Sequence, residues 1–175
     1  MHWVVQNNLF NERGFHTLMQ VLEHGGIPHT LVKVIPFDGG VEPSVDVSGP
    51  VVVPDGVESV AGALRDAVAA GSRLVVTTGG TGMGPRDLTP EGTREVITRD
   101  NPGLAELLRR EGARHTPFAA VTRGLVGVVD WPAERGTGGT LVVNLPGRPS
   151  AVQEGMDVIG PLLGHLLDQV AGGDH

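Results

Sequence analysis

LVVTTGGTG, Leu74 to Gly82, is the stretch on which the fold turns. Leu74 to Thr78 is an apolar, β-branched run too short for a helix, which predicts a strand buried on both faces. It delivers the chain straight into Gly79-Gly80-Thr81-Gly82. Upstream, Val57, Val60, Ala61, Leu64, Ala67 and Val68 share one face of a helix that stops at Gly71. The turn Pro54-Asp55-Gly56 joins that helix to the short apolar run Val51-Val52-Val53. Downstream, Thr89 reads as an N-cap and Pro90 as a first-turn proline, opening a helix to about Arg99.

Pro102 to Gly112 continues as helix with Leu104, Leu107 and Leu108 inward. Ala119 to Val129 is strand-like, a Gly/Pro-rich loop spans Trp131 to Gly139, and Thr140 to Asn144 is the last strand. Helices from about Ser150 to Ile159 and Pro161 to Val170 end the pattern. At the other end, Trp3 to Gln6 is a strand candidate and Thr30 to Ile35 another. Between them Phe15, Leu18, Met19 and Leu22 mark one face of a helix from Glu12 to His24, closed by Gly25-Gly26. Phe37 to Pro50 is a turn-rich connector. Short apolar strands alternating with amphipathic helices predict an α/β fold with a mostly parallel sheet covered on both faces.

Composition narrows the functional classes. The 175 residues suit a single domain, large enough to bury ~70% of the surface its unfolded chain exposes. With no cysteine, disulfides, thiolate nucleophiles and Cys-ligated metal centres are excluded, so any metal takes oxygen or imidazole ligands. No apolar run approaches the ~18 residues of a membrane span, and the N-terminus lacks a signal-peptide layout, so the chain reads as cytoplasmic with no membrane partner. Thirteen basic against 20 acidic side chains, with no basic cluster, give no footprint for nucleic acid. Anything phosphorylated must bind locally, and 27 glycines supply turns and close backbone approaches.

In an open α/β sheet, ligands collect where strands end and helices begin. Gly79, Gly80, Thr81 and Gly82 lie at such an edge, either as a phosphate cradle of backbone N–H groups or as a glycine-rich turn. The spacing matches neither G-x-x-x-x-G-K-[ST] nor G-x-G-x-x-G. Asp87 follows Arg86 near the start of the next helix, where its carboxylate either complements the helix dipole or holds a hydrated magnesium ion beside a phosphate. Asp55 caps the Val57 helix or, if its strand neighbours Leu74 to Thr78 in parallel, supplies a second carboxylate to the same edge. Asn144-Leu145-Pro146-Gly147 adds a polar group and a backbone nest, or is a plain strand-ending turn. The seven histidines are scattered without metal spacing, and no G-x-S-x-G elbow exists.

These residues carry a resemblance. VVTTGGTGMGPRDLTPEGT, Val75 to Thr93, resembles the MoaB/MogA/gephyrin-type molybdopterin-binding family. The similarity runs from about Asp46 through VVVPD at Val51 to Asp55, NPGLAELLRREGARHTP at Asn101 to Pro117, TRG at Thr122 to Gly124, and GGTLVVNLPGRPSAV at Gly138 to Val152. It implies a three-layer α/β/α fold, commonly homotrimeric, in molybdenum cofactor biosynthesis. Adenylyltransferase members join molybdopterin to AMP from Mg-ATP and release pyrophosphate. Asp55 and Asp87 match the family's two functional aspartates, with a metal- and phosphate-positioning role implied. Gly79, Gly80, Thr81 and Gly82 match its phosphate loop, Thr89 and Glu91 its TPE helix start, and Asn144, Pro146 and Gly147 its pterin-side turn.

The N-terminal part departs from the family pattern. Asp46-Val47-Ser48-Gly49-Pro50 resembles the family's D-x-S-G-P segment, yet Val51 to Asp55 follows at once, without space for the usual helix. Residues 1 to 45 look more like the start of an ATP-grasp-type protein. One domain over residues 1 to 175 is expected, its first 45 residues supplying a substitute βαβ. Two hypotheses lead: Mg-ATP-dependent molybdopterin adenylylation, or a non-catalytic pterin-binding or trimerising module. A nucleotide-binding fragment of ATP-grasp type is a third, and the lack of that class's catalytic domain argues against it.

Overall fold

The computed structural model describes residues 30–35 and 51–173. The predicted strand Trp3 to Gln6, the Glu12 to His24 helix and the connector from Phe37 lie outside the described residues. The elements are β1 (Thr30–Ile35), β2 (Val51–Val53), α1 (Val57–Ala69), β3 (Leu74–Thr78), α2 (Thr89–Arg94), β4 (Arg99–Asp100), α3 (Pro102–Gly112), β5 (Val126–Asp130), β6 (Gly139–Leu145), α4 (Pro149–Ile159) and α5 (Leu163–Val170). Short 3₁₀ turns span Pro117–Val121, Ala133–Arg135 and Gly160–Leu162.

The six strands form one sheet in the order β2-β1-β3-β6-β5-β4. Among the described residues only β3 and β6 pair in parallel, with Val75 opposite Val142, while β1–β2, β1–β3, β4–β5 and β5–β6 are antiparallel. The sheet is therefore mixed, and the expectation of a mostly parallel one is corrected. Two strands cause this: Thr30 to Ile35 enters between β2 and β3 running opposite to both, and Val126 to Asp130 lies between β6 and β4 running opposite to both. Because β2, β3 and β6 still share a direction, their C-terminal ends meet at one edge of the sheet.

Both central strands are wholly buried, and alternate residues divide between two cores. Leu74, Val76, Leu141, Val143 and Leu145 pack with Val152, Met156, Ile159, Leu163 and Leu167 of α4 and α5 and with Ala105 of α3. Val75 and Val142 face the opposite way, onto Val60, Ala61 and Leu64 of α1. This gives helix, sheet and helix layers, and each large side chain fully buried here contributes about 1.5–3 kcal/mol. Gly92 lets α2 rest on α1, since a Cβ there would come within 2.7 Å of Val60 Cβ and 2.8 Å of Val57 O.

Two boundaries differ from the sequence reading. The helix opening at Thr89 ends at Arg94, because Arg99 and Asp100 pair with β5 as β4. The strand expected over Ala119 to Val129 is confined to Val126–Asp130, preceded by the Pro117–Val121 turn. No helix among the described residues is long and apolar enough to cross a membrane.

Candidate active site

A cleft of about 710 Å³ opens at the shared C-terminal edge of β2, β3 and β6. The loop after β3 forms its floor. Gly79 and Gly80 hold φ of 87° and 62°, a left-handed conformation that side-chain-bearing residues rarely adopt. Gly79 N–H donates to Leu145 O at 3.0 Å, tying the loop to β6. The amides of Gly80, Thr81 and Gly82 carry no hydrogen bond among the described residues, which leaves donors on the cleft wall for an anion. Gly147 completes the floor: a Cβ there would stand 3.2 Å from Gly79 Cα, so a side chain would push the loop back by a few tenths of an ångström.

Both aspartates line this cleft. Asp87 lies within the loop's curl, its Oδ2 accepting from Gly84 N–H at 2.9 Å. A Cβ on Gly82 or Gly84 would approach that oxygen to 2.8 or 2.7 Å, so the loop wraps its own carboxylate. Asp55 is exposed on the cleft wall and caps nothing; Gly56 is the N-cap of α1, without any side-chain hydrogen bond. The capping reading of Asp55 is thereby corrected. Asp55 reaches the cleft although β2 and β3 are not neighbours, because β1 lies between two strands that point the same way.

Three residues expected at the ligand are placed as supports. Thr89 is buried and donates through Oγ1 to Gly79 O at 2.9 Å, while its N–H donates to Gly80 O at 3.1 Å. Glu91 accepts from Arg123, which, with burial opposing, holds its carboxyl below the ordinary value. Neither Thr89 nor Glu91 lines the cleft. Asn144 lines it, yet its side chain is committed inward. Nδ2 donates to Thr77 Oγ1 at 2.9 Å and Thr93 Oγ1 at 3.0 Å, and Oδ1 accepts from Leu125 N–H at 3.1 Å. Pro146 lines the cleft beside Gly147.

The cleft also holds residues that the sequence reading passed over. Arg86, Arg109 and Arg148 bring positive charge to its wall. Arg109 Nη1 donates to Gly124 O at 3.2 Å, and Arg148 stands 3.8 Å from Glu154. Leu108, Phe118 and Val121 add apolar lining, and Phe118 is 78% exposed. Arg86 was visible as the neighbour of Asp87; Phe118, in a turn without periodicity, carried no signal. The cleft thus combines amide and guanidinium groups that suit phosphate with apolar lining that suits a flat ring.

Residues 42–165 match the family described as "Probable molybdopterin binding domain", and the chain belongs to that family. It is 35% identical over 144 residues to the molybdenum cofactor synthesis protein cinnamon of Drosophila melanogaster, covering 72% of this chain and 23% of that protein. It is also 35% identical over 99 residues to the molybdopterin adenylyltransferase of Helicobacter pylori, covering 57% of this chain and 52% of that one. The chain therefore spans about half the length, or less, of these curated relatives. Among solved structures, the molybdopterin biosynthesis enzyme MoaB of Thermus thermophilus superposes with a TM-score of 0.65 at 36% identity, covering 93% of this chain and 92% of that one. A MogA structure gives 0.62 at 32% identity, covering 93% and 95%.

Proposed function

We propose that this protein adenylylates molybdopterin in molybdenum cofactor biosynthesis. The observation that carries the reading is the convergence of Asp55 and Asp87 on a cleft floored by the glycine loop. The relatives' names support it, one being a molybdopterin adenylyltransferase at 35% identity. In the proposed reaction a terminal phosphate oxygen of molybdopterin attacks the α-phosphorus of ATP. The bond to the β-phosphate oxygen breaks, and pyrophosphate leaves with the electron pair. Positioning and charge neutralisation dominate such transfers. The amides of Gly80, Thr81 and Gly82 would hold phosphate oxygens, and Arg86, Arg109 and Arg148 would offset their charge.

The donor set fits magnesium. Two carboxylates at one cleft are the hard oxygen ligands it takes, the remaining positions going to water and phosphate, and no group of three or more His, Asp or Glu exists among the described residues. Bound there, magnesium would supply charge neutralisation at the phosphates. Asp55 and Asp87 Oδ1 would hold it, since Asp87 Oδ2 is engaged by Gly84. Residues 1 to 175 acting as one domain, a homotrimeric assembly and a cytoplasmic location belong to the same proposal, supported by the resemblance and, for location, by the lack of cysteine.

Pyrophosphate release from Mg-ATP, with and without molybdopterin, tests the reading. Molybdopterin-dependent release is the expected result. Asp87→Asn should abolish it while keeping the fold, because the amide oxygen still accepts from Gly84 N–H. Binding without release would instead identify a pterin-binding module, and release at the parental rate from the variant would remove Asp87 from the mechanism.

A further inference from the structure

Arg123 lies outside the glycine loop, yet its hydrogen bonds all run to it or to the helix that follows. Its backbone N–H donates to Thr81 O at 2.8 Å and its Nε to Gly82 O at 2.7 Å. Nη1 donates to Glu91 Oε1, and Nη2 to Asp87 O. One planar guanidinium thus spans Gly82 in the loop, the backbone oxygen of Asp87 and the first turn of α2. Within residues 82–88 the other hydrogen bonds are internal except at the end, where Leu88 O accepts from Gly92 N–H at 3.0 Å; the internal ones are Asp87 N–H to Gly84 O at 3.0 Å, Leu88 N–H to Arg86 O at 2.9 Å, and Gly84 N–H to Asp87 Oδ2 at 2.9 Å. They shape the curl without fixing where it sits. Its attachment to the body comes from Arg123, from Thr122 Oγ1 on Thr81 Oγ1 at 3.0 Å, and, at the loop's end, from Thr89 and the Gly92 N–H on Leu88 O.

Glu91 shows what the arrangement costs. Its Oε2 is buried with no hydrogen-bond partner, and its Oε1 is given to Arg123. A carboxylate so placed serves to orient the guanidinium.

We propose that Arg123 is a positioning residue for the transfer: by clamping Gly82 O, Asp87 O and Glu91 together it sets the Asp87 carboxylate and the loop amides against the reacting phosphate. This rests on the adenylyl-transfer reading. The requirement is geometric as well as electrostatic. Lysine keeps the charge, but three donors on one nitrogen cannot reach three acceptors held apart by a fork.

The test uses the full chain carrying Arg123→Lys and Arg123→Ala. In Arg123→Lys, kcat for pyrophosphate release should fall about 100-fold, the scale of a misplaced reacting group. KM for Mg-ATP should change by less than about threefold, the split expected when the transition state loses more than the ground state. Added guanidinium should raise kcat of Arg123→Ala without altering the parent. Amide hydrogen exchange in the ligand-free variants should accelerate across residues 82–88, while β3 and β6 stay protected. If Arg123→Ala does not fold, Glu91→Ala, which removes the acceptor of one arm of the clamp, should accelerate the same amides to a lesser degree. A parental kcat in Arg123→Lys, or unchanged exchange over residues 82–88, overturns the proposal. No release from the parental protein overturns the adenylyl-transfer reading instead, and the exchange measurement then still decides whether Arg123 holds the loop.

Discussion

Replacing Asn144 by alanine separates a ligand contact from an internal bracket. Asn144 is 3% exposed and its amide joins three elements, reaching Thr77 on β3, Thr93 on α2 and the Leu125 N–H ahead of β5. Alanine deletes all three hydrogen bonds. Each contributes about 0.5–1.5 kcal/mol net, so the loss should be about 2–4 kcal/mol. The two threonine hydroxyls can turn to other partners, whereas the Leu125 N–H is fixed in direction, and this keeps the figure away from the lower bound. Against a total stability of about 5–15 kcal/mol this is a large fraction. The melting temperature should drop by roughly 5–15 °C for a chain of this size. Urea unfolding followed by circular dichroism should show a lower midpoint with an unchanged slope, the mark of lost stability without a change in compactness. The expected result below the melting temperature is reduced but measurable pyrophosphate release. An unchanged midpoint with release abolished would refute the reasoning, because it would place the amide at the ligand.

Asp55→Ala should leave the unfolding midpoint within about 0.5 kcal/mol of the parent while abolishing release, since the side chain is exposed and caps no helix; a loss of about 1 kcal/mol in a urea titration would restore the capping role. Gly92→Ala should cost about 1–3 kcal/mol in thermal unfolding, because its methyl meets Val60 Cβ at 2.7 Å and the backbone oxygen of Val57 at 2.8 Å. The Glu91 carboxyl should make stability depend on pH. Its folded-state pKa lies below the ordinary 4.5 because Arg123 donates to it, so the unfolded state binds the proton more readily. The pair's contribution is present in full above 4.5 and is lost as pH falls through the folded value. Comparing urea midpoints of Glu91→Gln and the parent from about pH 7 to pH 3 should show a difference that is constant at first and shrinks below the ordinary value; a difference constant throughout would refute the assignment.

The strand-to-glycine passage at Leu74 to Gly82 was legible because its pattern is local: a run buried on both faces, then residues whose φ demands glycine. The direction of β1 was not. Thr30 to Ile35 reads as a strand in either orientation, and its direction is set by long-range pairing with β2 and β3, which no local pattern carries. The sheet edge that gathers Asp55 with Asp87 survives that error, because inserting an antiparallel strand between β2 and β3 leaves both pointing the same way.

The roles of Asn144, Thr89 and Glu91 were harder to read for a different reason. A polar residue where a strand meets a cleft has two possible faces, and sequence position fixes only the edge. In β6 the parity was available: Asn144 is two residues beyond Val142, which packs on the α1 layer, and so points beneath the loop toward Thr77 and Thr93. Leu145, the next residue, belongs to the opposite core and accepts from Gly79 through its carbonyl. The same sheet edge therefore carries two kinds of polar group. Exposed Asp55 and half-buried Asp87 are available to a phosphate-bound cation, while Thr89, Glu91 and Arg123 use their hydrogen bonds to hold the loop and Asn144 uses its own to tie β3, α2 and the segment ahead of β5 together. A variant in the first group should change chemistry at constant stability, and Asn144→Ala should change stability first, so paired melting and turnover measurements assign each residue to one kind or the other.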